Sequence, residues 1–145
     1  RTAERFEPQF DEAGVRLHSL VTGKLMAHAD ADRLGQVVGN LLGNALRATR
    51  ERTDGEVLLG IARTTEGGHP VARLTVTDNG VGLAPDELTK IFERFYRAPR
   101  ARDTEGSGIG LTIARDIVRA HGGELTANSP GPGKGATLTL TLPLA

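Results

Sequence analysis

The sequence predicts an α+β fold in two layers: a mixed, mostly antiparallel sheet covered on one face by helices. Three observations carry this reading. Two stretches, 30–49 and 109–121, place apolar residues at the three-to-four-residue spacing of amphipathic helices. Other stretches are short, β-branched or alternating, as half-buried strands are. The strand stretches also follow one another in pairs across glycine-containing turns, instead of alternating singly with helices as a parallel sheet requires. The length of 145 residues suits one domain, 1–145, with one core.

The elements follow in chain order. "VRLHSLVTGKLMAHAD" reads as two short leading strands, joined near Thr22-Gly23, within residues 1–29. "DADRLGQVVGNLLGNALRAT" is an amphipathic helix with Asp30 as its N-cap. "GEVLLGIARTTEGGHPVARLTVTD" is a hairpin of strands 57–63 and 71–77 around a Gly-Gly turn. "LAPDELTKIFERF" is a short helix with Pro85 in its first turn. "YRAPRARDTEGSG" has no periodicity and reads as a mobile loop. "IGLTIARDIVRAHGG" is the second long helix, stopped by Gly122-Gly123. "GELTANS" and "ATLTLTLPL" close the chain as a hairpin whose last strand alternates Leu138, Leu140 and Leu142 with Thr.

Composition narrows the partners. The 18 basic and 18 acidic residues balance, so charge supplies no reason to expect nucleic acid or an anionic membrane. Cysteine is absent, which excludes disulfides and thiolate metal sites and fits a reducing compartment. No apolar run approaches the roughly 20 residues that span a bilayer, and no signal peptide opens the chain. Arg1 in place of Met leads us to expect an excised fragment or a trimmed product.

Three glycines, Gly106, Gly108 and Gly110, crowd the stretch before the second long helix. They do not form a dinucleotide fingerprint, because Leu111 stands where the third glycine belongs and no strand precedes them. No Lys follows, so they are not a P-loop either. A helix N-terminus with free N–H groups favours an anion. By itself the run leaves a phosphate cradle and a plain helix-starting linker equally open.

Other blocks bear on that choice. On the first long helix, Arg33, Gln36, Asn40, Asn44 and Arg47 fall on one stripe beside the apolar stripe of Leu34, Val37, Val38, Leu41, Leu42 and Ala45. An Asn carbonyl oxygen suits a hard cation such as Mg²⁺, and an Arg fork suits phosphate oxygens. An Asn pair alone, however, favours an ordinary helix edge. In "VTDNGVGL", Asn79-Gly80 is a turn signal. The functional alternative has Asp78, at a strand end, accepting a hydrogen bond from an exocyclic amine, with the glycines admitting a flat ring. In "IFERFYRAPR", Phe92 and Phe95 read as packing. Tyr96 can lie against a purine, and Arg94, Arg97 and Arg100 can reach phosphates, while Arg100 and Arg102 fit a solvated loop better.

The order of the blocks is more specific than any one of them. NLLGNALR, DNGVG, FERFYR, GSGIGLTIARDIVRAHGG and GPGKGATLTLTLP, arriving in this sequence over residues 30–143, resemble the catalytic ATP-binding domain of bacterial sensor histidine kinases. That family belongs to a superfamily shared with gyrase, a heat-shock chaperone and mismatch-repair ATPases. The resemblance implies a Bergerat-type two-layer α/β sandwich that holds ATP between its helices and a mobile lid, here 97–107. It implies that Asn44 ligates Mg²⁺, that Asn40 supports the same site, and that Arg47 stands where the family usually has a phosphate-contacting Lys. Asp78 would bind the adenine amino group in a pocket shaped by Gly80 and Gly82. Tyr96 would flank adenine and Arg97 approach the phosphates. Gly106, Gly108 and Gly110 would close the lid, with backbone N–H groups of Gly108, Ile109, Gly110 and Leu111 near the triphosphate. Gly133 and Gly135 would complete the adenine end. Two departures stand out: Ala136 follows the last glycine where the family often has Thr, leaving Thr137 as the candidate hydroxyl, and Ala48 replaces a common Tyr or His.

The resemblance also separates kinase from hydrolase. ATP-hydrolysing relatives carry a Glu one helical turn before the metal-binding Asn, as general base. Here position 40 is Asn, and a neutral amide takes no proton at pH 7. This points to donation of the γ-phosphoryl group to another nucleophile, which in the resembled family is a His on a separate dimeric helical hairpin. His18, His28, His69 and His121 all lack the acceptor's H-E-x-[KR]-[ST]-P context. His121 reads as a helix cap. The chain is therefore expected to carry no catalytic nucleophile, to bind ATP and Mg²⁺ as a monomer, and not to phosphorylate itself alone. The implied partners are the phosphoacceptor hairpin of a homodimeric full-length kinase and a response regulator. The implied place is the cytoplasmic part of a membrane-bound sensor. A nucleotide-binding regulatory module and an anti-sigma-type serine kinase are the alternatives.

Overall fold

The computed structural model describes residues 8, 14–21, 31–49, 52–93 and 110–143. Among the described residues, the elements run in the order β1 (Arg16–Val21), α1 (Ala31–Thr49), β2 (Glu56–Glu66), β3 (His69–Asp78), α2 (Glu87–Lys90), α3 (Gly110–Ala120), β4 (Glu124–Asn128) and β5 (Ala136–Pro143). The strands form one sheet in the order β1-β2-β3-β5-β4. β1 pairs with β2 in parallel, which its crossover through α1 permits, and the other pairs are antiparallel. The mixed sheet with helices on one face is thus as the sequence predicted. The expected second leading strand and the Asp30 cap lie outside the described residues.

The central hairpin is longer than expected because its turn is tighter. Only Gly67 and Gly68 are unpaired, with φ of 57° and 82°. Positive φ at both central positions makes a turn whose twist matches the strands, so pairing continues to Glu66 and His69.

Strand parity decides what enters the core. Val57 and Leu59 of β2, Leu74 and Val76 of β3, and Leu138, Leu140 and Leu142 of β5 all face the helices and are buried. Val37, Leu41, Leu42, Ala45 and Leu46 of α1 meet them, with Ala114, Ile117 and Val118 of α3. Each such aliphatic side chain stabilises the fold by about 1.5–3 kcal/mol. Thr49 is buried too, and its hydroxyl donates back to the Ala45 carbonyl at 2.8 Å.

The second long helix stops where the sequence placed the stop. Gly122 takes φ 82°, and the Gly123 N–H reaches back to the Val118 carbonyl at 3.0 Å. His121 Nδ1 lies 2.8 Å from the Ile117 carbonyl, which it caps.

Candidate nucleotide site

The same parity that fills the core places a carboxylate at its rim. Leu74, Val76 and Asp78 alternate along one face of β3, and Asp78 is only 8% exposed. Its Oδ1 accepts the Gly80 N–H at 2.8 Å. Burial pushes its pKa up to about 6, against the opposing pull of the Gly80 and Ala136 N–H groups. No cationic side chain figures among the described groups that act on it.

The loop after Asp78 is pinned on three sides. Asn79 Oδ1 accepts the Glu56 N–H and its Nδ2 donates to the Asp54 carbonyl, both at 2.8 Å. The turn residue of the sequence reading is therefore a staple to the start of β2. The Val81 N–H donates to the Ala48 carbonyl at 3.1 Å, docking the loop on the end of α1. A Cβ on Gly80 would lie 2.2 Å from that carbonyl oxygen, so the position admits only glycine. On the third side the loop meets residues 129–135: Gly133 and Gly135 donate their N–H groups to the Val81 and Gly80 carbonyls at 2.6 and 3.2 Å. Gly82, with φ 71°, would put a Cβ 2.3 Å from the Gly131 carbonyl oxygen. The structure thus brings Asp78, Gly80, Gly82, Gly133 and Gly135 together at one end of the sheet.

The amide stripe of α1 faces the start of α3. Asn40 Nδ2 donates to the Gly110 carbonyl at 3.0 Å, tying the two helices where the glycine-rich stretch ends. Asn44 and Arg47 are half-buried, one and two turns further on. Gly110 and Leu111 begin α3, where the first N–H groups have no partner within the helix. The Thr112 hydroxyl donates to the Phe92 carbonyl at 2.6 Å, and the Arg115 guanidinium sits 4.6 Å above the Phe92 ring. Tyr96, Arg97, Gly106, Gly108, Ile109 and the expected lid 97–107 lie outside the described residues.

Strand register sets the face of one candidate. Thr137 pairs with Thr77, and the two hydroxyls are 3.2 Å apart. Residues 77 and 137 are odd-numbered on strands whose even-numbered residues face the helices, so Thr137 projects from the opposite side of the sheet to Asp78. Ala136 is the residue opposite Asp78.

The sequence reading missed two polar anchors. Ser129 lies within hydrogen-bond distance of Leu83, Gly131 and Gly135. Its only sequence signal is a small hydroxyl residue beside a Gly/Pro turn. Glu87, buried, reaches back to the Ala84 N–H at 2.6 Å. Ala84 has no side-chain group to reciprocate, so no capping-box pattern marks this contact in the sequence.

Fold and site together define a two-layer α/β sandwich with a buried carboxylate between two glycine loops at one end of its sheet. The family described as histidine kinase-, DNA gyrase B-, and HSP90-like ATPase matches residues 29–145, and the chain belongs to it. Among curated proteins it is 37% identical over 130 residues to the probable sensor protein PcoS of Escherichia coli, covering 88% of this chain and 26% of PcoS. It is 36% identical over 128 residues to the sensor histidine kinase WalK of Bacillus subtilis, covering 87% and 20%. The chain spans about a quarter of the length of these relatives. Among solved structures, the mycobacterial sensor histidine kinase MprB superposes with a TM-score of 0.85 at 31% identity, covering 99% of this chain and 91% of that one. Full-length ShkA in complex with AMPPNP gives a TM-score of 0.82 at 34% identity, covering 99% and 28%.

Proposed function

We propose that this chain binds Mg·ATP and presents its γ-phosphoryl group to a histidine on a separate helical hairpin of the same full-length sensor kinase, which then supplies a response regulator. The buried Asp78 supports an adenine site. A carboxylate with two N–H donors and little water has acceptor capacity left, which an exocyclic amine fills. The metal fits as a nucleotide-borne ion. Among the described residues no group of three or more His, Cys, Asp or Glu can hold a metal. Mg²⁺ commonly takes one or two protein ligands and completes its shell with phosphate and water. Asn44 would hold it, with Arg47 and the first N–H groups of α3 toward the phosphates. Bound Mg²⁺ supplies charge neutralisation of the transferring group. Tyr96, Arg97, Gly106, Gly108 and Ile109 belong to the same proposal, as the lid side.

The observation that carries transfer over hydrolysis is Asn40. Its amide is neutral, and its Nδ2 is committed to the Gly110 carbonyl. The position therefore offers no base for water. The likeness of MprB, PcoS and WalK, all named as sensors or sensor histidine kinases, supports the histidine acceptor. Among the described residues no helix is long and apolar enough to cross a membrane. We place the chain as the cytoplasmic, monomeric catalytic part of a homodimeric, membrane-bound kinase.

Labelled ATP tests this. The isolated chain binds ATP in a Mg²⁺-dependent manner that Asn44→Ala abolishes, and it acquires no label. Adding the helical hairpin yields acid-labile phosphohistidine on the hairpin. Phosphohistidine on the isolated chain, or acid-stable phosphoserine on a partner, would overturn the proposal.

A further inference from the structure

Ser129 lies in the loop between β4 and β5, outside every motif that carries the nucleotide reading. Its Oγ lies 3.0 Å from the Leu83 N–H and 3.2 Å from the Gly131 N–H, and both donate to it. Its own proton has two carbonyls in reach, Gly135 at 2.6 Å and Gly131 at 3.2 Å. A hydroxyl has one proton and two acceptor sites. The proton goes to the nearer carbonyl of Gly135, and the two N–H groups take the acceptor sites. All three valences are used on backbone.

The Gly135 carbonyl and the Ala136 N–H belong to one planar peptide group. Ala136 stands directly opposite Asp78 in the β3–β5 register. Ser129 therefore grips one end of a rigid plate whose other end faces Asp78. Gly135, at φ 78°, has no side chain to hold that plate by sterics, so the hydroxyl supplies the restraint. Through Leu83 the same hydroxyl joins the loop that carries Gly80 and Gly82 to the loop that carries Gly133 and Gly135.

We propose that Ser129 is a positioning residue for base recognition: it fixes the 135–136 peptide opposite Asp78, and so sets where the Asp78 carboxylate stands to accept an exocyclic amine. Ser129 touches no nucleotide itself. The inference rests on the nucleotide reading above and adds what sets the preference for adenine over a base bearing a carbonyl at that position.

Calorimetric titration of wild type, Ser129→Ala, Ser129→Thr and Asp78→Ala with Mg·ATP, Mg·GTP and Mg·tripolyphosphate tests it. Wild type is expected to favour ATP over GTP. Ser129→Ala weakens ATP about tenfold, the scale of one lost hydrogen bond to a charged site. Its ATP:GTP preference falls by a similar factor, while tripolyphosphate stays within about twofold. Ser129→Thr, which keeps the hydroxyl, restores the preference. If Ser129→Ala is not folded at the assay temperature, Ser129→Cys replaces it, with an intermediate loss because a thiol is a weak donor and acceptor. An Ala variant that keeps the wild-type preference while Asp78→Ala loses it overturns the inference alone. So does equal weakening of all three ligands, or a Thr variant as poor as Ala. Wild type that binds no ATP, or binds it equally after Asp78→Ala, overturns the nucleotide reading beneath it.

Discussion

Asp78 should make this protein less stable than it can be, and replacing it should show by how much. The native pKa is about 6 against an ordinary 3.8, because burial disfavours the charge more than two backbone N–H groups favour it. A difference of about two units at 1.36 kcal/mol each amounts to roughly 3 kcal/mol. The sign follows from proton counting. Between about pH 4 and 6 the native state holds a proton on Asp78 that the unfolded chain has released, so stability falls as pH rises through this window. Above about pH 6 the full cost of the buried charge is present. Asp78→Asn keeps the shape and an oxygen for the Gly80 N–H without the charge. It should be more stable than wild type by about 1–3 kcal/mol at pH 7, with the gap closing below about pH 4. Urea unfolding of both proteins from pH 4 to 8 measures this. The difference between the two curves cancels other groups, such as Glu124, which Arg119 above all holds near a pKa of 2. The variant should also lose ATP affinity, since its amide turns a donor toward the adenine amine. An Asn variant less stable at every pH, or a gap that does not change with pH, would refute the reasoning.

Three further outcomes follow from the same geometry. Gly80→Ala drives a Cβ to 2.2 Å from the Ala48 carbonyl oxygen, and should cost about 2–3 kcal/mol; a thermal melt matching wild type would contradict the docking of this loop on α1. Asn79→Ala removes two bonds, to the Glu56 N–H and the Asp54 carbonyl, and should cost about 1–3 kcal/mol in urea unfolding; a loss under half that range would mean the staple is slack. Asn40→Asp turns a donor into an acceptor against the Gly110 carbonyl. It should speed amide exchange in the first turns of α3 while leaving β3 and β5 protected, and unchanged exchange there would show that the Asn40 bond holds nothing.

What was legible in the sequence is what local pattern encodes. The apolar spacing of Val37, Leu41 and Ala45 and the alternation of Leu138, Leu140 and Leu142 specify faces directly, and those residues are buried as expected. The Gly122 stop and the His121 cap are likewise local chemistry. The central hairpin was read too short because Thr64, Thr65 and Glu66 have little apolar character; cross-strand pairing and a two-glycine turn hold them instead. Thr137 was assigned by its place after a glycine, whereas its face is set by register with Thr77, which depends on a strand 60 residues away. The bonds of Asn79 and Ser129 escape a sequence reading for the same reason. Each looks like turn punctuation, and each also bonds backbone far along the chain, Asn79 at residues 54 and 56 and Ser129 at Leu83.

On the proposed function, the two ends of the site have different tasks. At the base end, residues 79–83 and 129–135 are joined by backbone bonds, by the Asn79 staple and by the Ser129 hydroxyl, with glycines wherever a side chain would separate them. Such a wall can hold a carboxylate at a free-energy cost, because the surrounding bonds leave the chain no cheaper arrangement. At the α1–α3 end, among the described residues, Asn40 donates to the Gly110 carbonyl and Thr112 to the Phe92 carbonyl. A ligand of fixed shape at one end rewards rigidity. On the proposed function, loosening the wall at the base end should lose the base without touching the phosphates.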